Sequence, residues 1–356
     1  MLNYLQELAK EYNMSNENVL SIALNRYGLI IPNYPDNRIR FNLKINGSSK
    51  NTFFAVCVNT YLESPFTLKD NTIYLEGSPI GSVSNIEKDT CTSTYFRNNK
   101  QAITFNSNSR SKCVGCKFCG TYSLDDEDSI DFSTKENIKD YFKDLLSKNN
   151  ISSMEQIKDV TLCTGCFKTE DDLVNHLLLV NEAFKDLSFD GRINYIGSQL
   201  RDHDKIKLIN DEIAHFSLFL TIEKFLDREK FMRPEKASLT IPKAKDLLSY
   251  TKSLGITSTF LYILGLEDID TVEKYFSYLK DSVNKFPIVQ VFQDYTKDQE
   301  KYRVSEAKDV RYYLEARKRI NDIFKDTNLN PEYWECFRSL YFDDHKEAGL
   351  IRCKKK

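Results

Sequence analysis

Three cysteines on one short polar loop are the residues of this chain whose types and spacing best predict chemistry. Cys113, Cys116 and Cys119 are spaced C-x2-C-x2-C. Bacterial ferredoxins hold a 4Fe-4S cluster with the run C-x2-C-x2-C-x3-C, and the position of the fourth cysteine is Ser123 here. Three thiolates would leave one iron of such a cluster with an open coordination position. The spacing therefore predicts a 4Fe-4S cluster that binds a ligand instead of only carrying electrons.

Two other interpretations of this loop remain open. A structural zinc site needs four ligands, usually cysteines alone or cysteines with histidines, and no histidine lies near the loop in the sequence. The thiols could also be reduced and carry no metal. We favour the cluster because the spacing matches a known cluster run and histidine ligands are missing.

The loop resembles the one that holds the cluster in the radical S-adenosylmethionine superfamily. In that family three cysteines after the first strand of an α/β barrel hold a 4Fe-4S cluster, and S-adenosylmethionine chelates the open iron. The resemblance implies Cys113, Cys116 and Cys119 as cluster ligands, with Phe118 as the aromatic residue that precedes the third. The common family pattern has three residues between its first two cysteines, whereas this chain has two.

The segments that must position these cysteines alternate between strand-like and helix-like patterns. Runs rich in β-branched and aromatic residues are separated by stretches with apolar residues at helical spacing. This alternation predicts parallel βαβ units. The predicted strands are residues 102–106, 160–162, 193–196, 216–220, 258–263 and 288–292, and the predicted helices between them are 137–148, 171–185, 205–214, 243–254 and 271–285.

The predicted fold class is α/β, with three segments along the chain. A small α+β N-terminal domain covers residues 1–100, and a helical C-terminal cap covers residues 301–356. Residues 101–300 between them form a partial (βα)6 TIM-like barrel, a closure that the family resemblance implies. Two helices and two hairpins are predicted in the N-terminal domain, at residues 3–12 and 16–27 and at residues 39–58 and 70–81.

Functional residues of a (βα) barrel lie at the C-terminal ends of its strands. Ser198 follows the third strand among small residues that would let a ligand approach the backbone, although a simple loop explains it nearly as well. The family resemblance implies that Glu223, at the end of the fourth strand, holds the ribose hydroxyls of S-adenosylmethionine. It also implies that Lys243 pairs with the carboxylate of that cosubstrate, and that the backbone at Gly265 packs against its adenine. The sixth strand leads to Gln293, Asp294 and Tyr295, which would face the substrate.

The second strand ends in Cys163-Thr164-Gly165-Cys166, where the family usually has a Gly-Gly-Glu motif. Three interpretations of this replacement remain open. Cys166 could donate a hydrogen atom to a substrate radical, because a thiol S–H bond is weak. Cys163 and Cys166 could help to bind a second metal centre, or they could pack without any chemical role. We take Cys166 as the candidate catalytic residue.

Composition limits the possible partners. A net charge of -2, from 50 basic and 52 acidic residues, gives no general attraction to nucleic acid. No apolar run is long enough to cross a bilayer, and the first residues do not resemble a secretory signal, so we expect a cytoplasmic protein. Clustered cysteines in such a protein are metal ligands or catalytic thiols more often than disulfides.

The resemblance implies an enzyme that reductively cleaves S-adenosylmethionine to a 5'-deoxyadenosyl radical, which abstracts hydrogen from a substrate. We expect a small, amino-acid-derived substrate and an electron donor such as flavodoxin or ferredoxin. A peptide or protein substrate is the alternative within this class. The alternative from another class is a non-catalytic scaffold with a metal in the cysteine loop.

Overall fold

The structure of the chain, a computed structural model, describes residues 1–58, 63–88, 94–98, 100–108, 116–120, 130–331 and 339–341. These residues form two compact units. The first contains the described parts of Met1–Thr90, Tyr262–Lys280 and Phe286–Lys356, and the second contains those of Cys91–Leu261 and Asp281–Lys285. The three segments predicted from the sequence are not tested by this division and stay a prediction.

Two helices open the first unit, as predicted. They are α1 (Leu2–Glu11) and α2 (Asn16–Tyr27). In α1, Leu5 and Leu8 are buried one turn apart, so the helix has one apolar face. The Ser15 side chain accepts a hydrogen bond from the Asn18 backbone N–H at 3.1 Å and caps α2. The helix ends at Gly28, whose φ of 67° favours glycine.

A five-stranded sheet follows in the same unit, with the strand order β2-β1-β5-β4-β3 and antiparallel pairing between its neighbours. Both predicted hairpins are confirmed. Asp70 and Asn71 link β3 to β4 with positive φ angles of 49° and 58°, as a tight two-residue hairpin turn requires. The strands are β1 (Arg38–Ile45), β2 (Thr52–Cys57), β3 (Phe66–Lys69), β4 (Thr72–Leu75) and β5 (Ser78–Lys88).

The second sheet has seven strands in the order β12-β11-β10-β9-β8-β7-β6. The six strands predicted from the sequence are confirmed, and the pairs β7–β8, β8–β9 and β9–β10 are parallel. The short edge strand β6 was not predicted and pairs antiparallel with β7. The strands are β6 (Tyr95–Arg97), β7 (Ala102–Phe105), β8 (Asp159–Cys163), β9 (Arg192–Gly197), β10 (Phe216–Glu223), β11 (Thr257–Leu264) and β12 (Ile288–Val291).

Helices connect these strands at the positions that the apolar spacing predicted. The order of elements is therefore βαβ through most of this region, and the fold class is mixed α/β with a half-barrel sheet. The helices are α3 (Lys135–Lys148), α4 (Glu170–Asp186), α5 (His203–Glu212), α6 (Arg228–Phe231), α7 (Pro234–Ala237), α8 (Ile241–Ser253), α9 (Ile269–Leu279), α10 (Lys297–Glu300) and α11 (Val310–Phe324).

The two faces of the parallel strands differ in chemistry. Phe105 on β7 lies on the face that packs against α3, where its ring centroid is 4.9 Å from that of Phe142. The opposite face carries Thr104, Thr161 and Asn194 on β7, β8 and β9, in register with one another. Arg97 on β6 is buried on this polar face and donates to the hydroxyl groups of Thr104 at 2.9 Å and Thr161 at 3.0 Å. Strand β6 thus contributes the guanidinium group that donates hydrogen bonds to both hydroxyl groups.

None of the helices in the described part of the chain is both long and apolar enough to cross a membrane. Helix α11 lies within the predicted C-terminal cap, and Asp309 caps this helix by accepting from the Arg311 backbone N–H at 2.7 Å. After residue 331 the structure describes residues 339–341. Leu340 among them donates to the carbonyl of Val289 on β12 at 3.0 Å, within the first unit.

Candidate functional site

The C-terminal ends of the parallel strands in the second unit lie on one edge of the sheet, where ligands bind in this type of fold. The cysteine loop follows β7, and the loop after β8 lies beside the start of it. The Gly165 backbone N–H donates to the carbonyl of Asn108 at 2.9 Å. The residues on this edge are therefore brought together by the parallel register and by contacts between loops.

Cys116 and Cys119 lie on a tight turn in which the Cys119 backbone N–H donates to the Cys116 carbonyl at 2.9 Å. A second bond anchors this turn, because the Lys117 N–H donates to the carbonyl of Phe231 on α6 at 2.9 Å. Cys113 lies outside the described residues. Within the residues that are described, no three His, Cys, Asp or Glu side chains are gathered as metal ligands.

The Cys116 side chain is buried, with 7% of the residue exposed. Burial raises the pKa of its thiol to about 11; the nearby Lys236 ammonium lowers it and the Glu223 carboxylate raises it. The backbone N–H of Arg233 also bonds to the thiol and favours its ionised form. A thiol in these surroundings ionises when a strong positive charge such as a metal centre is next to it.

Glu223 is at the C-terminal end of β10, where the sequence predicted an acidic ligand-binding residue. Its Oε2 is 2.5 Å from the Nζ of Lys236, and the two side chains are 15% and 12% exposed. Lys236 lies on the four-residue helix α7 and was not predicted from the sequence. No periodicity or spacing rule links it to Glu223, because the chain between them runs through an irregular loop and α6.

Lys243, the cation that the sequence analysis selected, is an exposed residue in the first turn of α8. Its backbone N–H donates to the Thr240 hydroxyl oxygen at 3.4 Å and so takes part in capping that helix. Its role toward a ligand stays a prediction. The structure adds Lys236 as a second candidate cation, in contact with Glu223.

Cys166 and Ser198 belong to the loops after β8 and β9, which are fastened together by one glutamine. The Gln199 amide accepts from the Phe167 N–H at 2.9 Å and donates to the Phe167 carbonyl at 2.9 Å. Ser198 is buried, and its carbonyl accepts from the Arg201 side chain. Cys166 is partly exposed. Burial raises the pKa of the Tyr195 phenol, and the nearby Cys166 raises it further.

A buried histidine lies at the start of the cysteine loop, although no histidine is near that loop in the sequence. His176 on α4 has its Nε2 2.7 Å from the Ser107 hydroxyl oxygen. Burial lowers the pKa of His176 to about 4, so its ring is neutral at pH 7. His176 was not predicted from the sequence, because the apolar spacing of α4 does not show which loop the helix packs against.

Gly265 belongs to the first unit, at the end of β11. Its φ is 117°, and a Cβ atom there would be 2.8 Å from the Tyr313 hydroxyl oxygen. Gln293 and Asp294, which were expected to face a substrate, are fully buried in internal contacts of this unit. Gln293 donates to Asn25 at 2.8 Å, and Asp294 accepts from Arg303 at 2.5 Å.

The second unit is thus an α/β unit with several thiols, a carboxylate and an ammonium group at the carboxyl edge of its parallel strands. Comparisons with protein-family models and with curated proteins gave no match. A comparison with solved structures found SuiB of Streptococcus suis, in a crystal structure with bound S-adenosylmethionine, at 12% identity and a TM-score of 0.39. The match covers 61% of this chain and 46% of SuiB, so the chain spans about half the length of that protein. At this identity and TM-score the likeness carries no argument for function.

Proposed function

We propose that this chain is a radical S-adenosylmethionine enzyme, with an iron-sulfur cluster held by Cys113, Cys116 and Cys119. The observation that carries the proposal is the closeness of Glu223 to Cys116. The family resemblance assigns Cys116 to the cluster and Glu223 to the cosubstrate, and these two residues act on each other electrostatically. Such closeness is what a cosubstrate bound to a cluster requires.

The described residues fit a cluster in their chemistry. Thiolates are the usual ligands of iron-sulfur clusters, and Cys116 and Cys119 lie on the same turn. The positive iron would offset the burial that raises the pKa of Cys116. Lys236 adds a cation beside the Cys116 thiol, so that the negative charge of a bound thiolate there would be partly balanced.

The carboxylate and the cations fit S-adenosylmethionine. An ionised carboxylate has about four acceptor positions, so Glu223 can hold Lys236 with one oxygen and accept ribose hydroxyl groups with the other. Lys236 and Lys243 are the two candidates for pairing with the carboxylate of the cosubstrate. Gly265 stays a prediction as an adenine contact.

A reduced cluster held by these cysteines would supply the one electron needed for reductive cleavage of S-adenosylmethionine to methionine and a 5'-deoxyadenosyl radical, the species that would abstract a substrate hydrogen. The protein residues orient the reactants and exclude water. Cys166 is the candidate for donating a hydrogen atom to the substrate radical. The sulfur radical left on Cys166 would regain its hydrogen as one electron from flavodoxin or ferredoxin and one proton from water.

We propose a small-molecule substrate, with a peptide as the alternative, and a cytoplasmic location. The test is to reconstitute the protein anaerobically, measure its iron and quantify 5'-deoxyadenosine after adding S-adenosylmethionine and dithionite. We expect about four irons per chain, product with wild type, and no product with Cys116→Ala. Cys57→Ala is the matched control, since Cys57 is a buried thiol of the first unit and is expected to keep activity.

Two outcomes contradict the proposal. The first is the absence of 5'-deoxyadenosine with an iron-loaded wild-type protein, and the second is equal product from wild type and Cys116→Ala. Zinc without iron would instead support the non-catalytic scaffold. Cys166→Ala then separates two steps, because we expect it to keep cosubstrate cleavage and to lose conversion of the substrate.

A further inference from the structure

The backbone at Glu223 is held in a conformation that side-chain-bearing residues rarely adopt. Its φ is 65°, and the Lys224 N–H donates to the Ile222 carbonyl at 2.8 Å, across Glu223. An i to i+2 hydrogen bond around a residue with positive φ is the rare and strained form of the γ-turn. Strain of this kind persists only where surrounding contacts maintain it.

Arg228 supplies such contacts from the first residue of α6. One of its terminal nitrogens donates to the Ile222 carbonyl at 2.6 Å and to the Lys224 carbonyl at 2.5 Å, the two carbonyls that flank Glu223. The other donates to the Lys236 carbonyl at 3.1 Å. With 5% of the residue exposed, Arg228 makes these bonds away from solvent, where losing a partner is costly.

The turn directs two consecutive charged side chains to different surroundings. Glu223 pairs with Lys236 next to the Cys116 thiol, whereas the Lys224 ammonium lies 4.8 Å from the centre of the Phe231 ring. An extended backbone would continue the alternation of β10 through these residues. The bend at Glu223 therefore decides where its carboxylate lies.

We propose that Arg228 is a positioning residue, which holds Glu223 and Lys236 beside Cys116 by binding the two carbonyls that flank Glu223 and the carbonyl of Lys236. The positioning role of Arg228 rests on these hydrogen bonds alone, whereas its consequence for S-adenosylmethionine binding rests on the proposed function. A guanidinium is suited to this task because its fixed fork reaches several carbonyls at once, and an ammonium group cannot reproduce that geometry.

The first test needs no cofactor. A carbodiimide joins a carboxylate and an amine in contact by an amide bond with loss of water, and mass spectrometry measures the Glu223–Lys236 cross-link. We expect the yield to fall several-fold in Arg228→Met and less in Arg228→Lys. The internal control is the Lys139–Asp186 pair at 2.8 Å in the same unit, whose cross-link should keep its yield.

Arg97→Met is the control variant, because it removes another buried arginine from the same unit without touching this turn. We expect it to keep the Glu223–Lys236 cross-link. An unchanged Glu223–Lys236 yield in both Arg228 variants would overturn the proposal. The proposal would also be overturned if the Lys139–Asp186 yield fell as much as the Glu223–Lys236 yield in both Arg228 variants. Arg228 would then support the whole unit and not this turn.

The second test measures S-adenosylmethionine affinity of the cluster-loaded protein by titration calorimetry. Arg228→Lys should weaken binding about tenfold, which is about 1.4 kcal/mol, but less than about twofold when Glu223→Gln is already present. The same loss in both backgrounds would show that Arg228 does not act through Glu223. If wild type binds no S-adenosylmethionine, the proposed function fails while the cross-link still decides the positioning role.

Discussion

Cys116 is buried next to a carboxylate and an ammonium group that change its pKa in opposite directions. The ammonium group belongs to Lys236, which also pairs with the carboxylate of Glu223. Removing one member of a partly buried ion pair leaves the other without its counter-charge, and that costs more than the pair itself contributes. The pair can therefore be tested through stability as well as through ligand binding.

Lys236→Met is expected to lower the free energy of unfolding by about 1–3 kcal/mol, because the partly buried Glu223 then loses its cation. Lys236→Arg should keep most of the stability, since the positive charge remains. Urea unfolding measures both. Lys243→Met is the control, because Lys243 is exposed and its substitution should change stability by less than about 0.5 kcal/mol. Equal effects of the two methionine substitutions would contradict the ion pair.

His176 is expected to make the protein less stable as the pH falls below about 6.5. Its pKa is lowered by burial from 6.5 to about 4, so between these values the unfolded chain binds more protons than the folded one. Above pH 6.5 the ring is neutral in both states and contributes no pH dependence. The loss for this one group is about 2 kcal/mol at pH 5.

Comparison with His176→Gln isolates this contribution from those of the carboxylates. Urea unfolding at pH 7 and pH 5 should show a drop in stability that is about 2 kcal/mol larger for wild type than for the variant. The Ser107 hydroxyl bond is a second, pH-independent contribution of the histidine. An identical pH dependence of the two proteins would show that His176 is not buried in its neutral form.

At the scale of elements, the edge of the parallel sheet is organised by contacts between loops. Gln199 joins the loop after β9 to Phe167 in the loop after β8. Arg201 extends the chain of contacts, because it donates to the Glu235 carbonyl at 2.7 Å on α7, the helix that carries Lys236. Loops from three strands are thus held in a fixed order around the candidate site.

Gln199→Ala is expected to loosen the loop that carries Cys166. The substitution removes two hydrogen bonds, which together contribute about 1–3 kcal/mol. The backbone N–H of Phe167 loses its acceptor and should exchange with deuterium faster, while amides inside β8 keep their protection. Gln156→Ala is the control, since Gln156 is exposed and its side chain donates to the nearby Ser152 hydroxyl oxygen. Unchanged exchange at Phe167 would contradict the clamp.

At the scale of the whole molecule, the first unit combines residues from both ends of the chain. Gln293 donates to Asn25 on α2 and to the carbonyl of Ala55 on β2, which are more than two hundred positions away. Arg26 on α2 donates to the carbonyl of Ala307 at 2.9 Å. The N-terminal helices therefore depend on residues that follow β12 in the chain.

A fragment of residues 1–90 is accordingly expected not to fold by itself. Without the later residues, the buried face of α2 and the polar groups of Asn25 and Arg26 lose their partners. Circular dichroism in urea should show no cooperative unfolding of the fragment, in contrast to the full chain. Cooperative unfolding of the fragment with protected amides would contradict this dependence.

The sequence by itself determined the elements, because their signals are local. Strand and helix patterns arise from the spacing of apolar residues within one segment, and caps such as Ser15 arise from hydrogen bonds over three positions. All six strands of the predicted alternation were found in this way, together with Glu223 at the end of the fourth. Strand β6 was missed because three residues contain too little periodicity to identify.

Only the tertiary structure decided which of these residues meet. Lys236 beside Glu223, His176 against Ser107 and Arg228 across the Glu223 turn are contacts between side chains and backbone groups of different elements. The composition of the linking segments does not specify such contacts, because they depend on how helices and loops pack on the sheet edge. The elements follow from short-range hydrogen bonding and apolar periodicity, whereas the candidate site follows from packing between different elements.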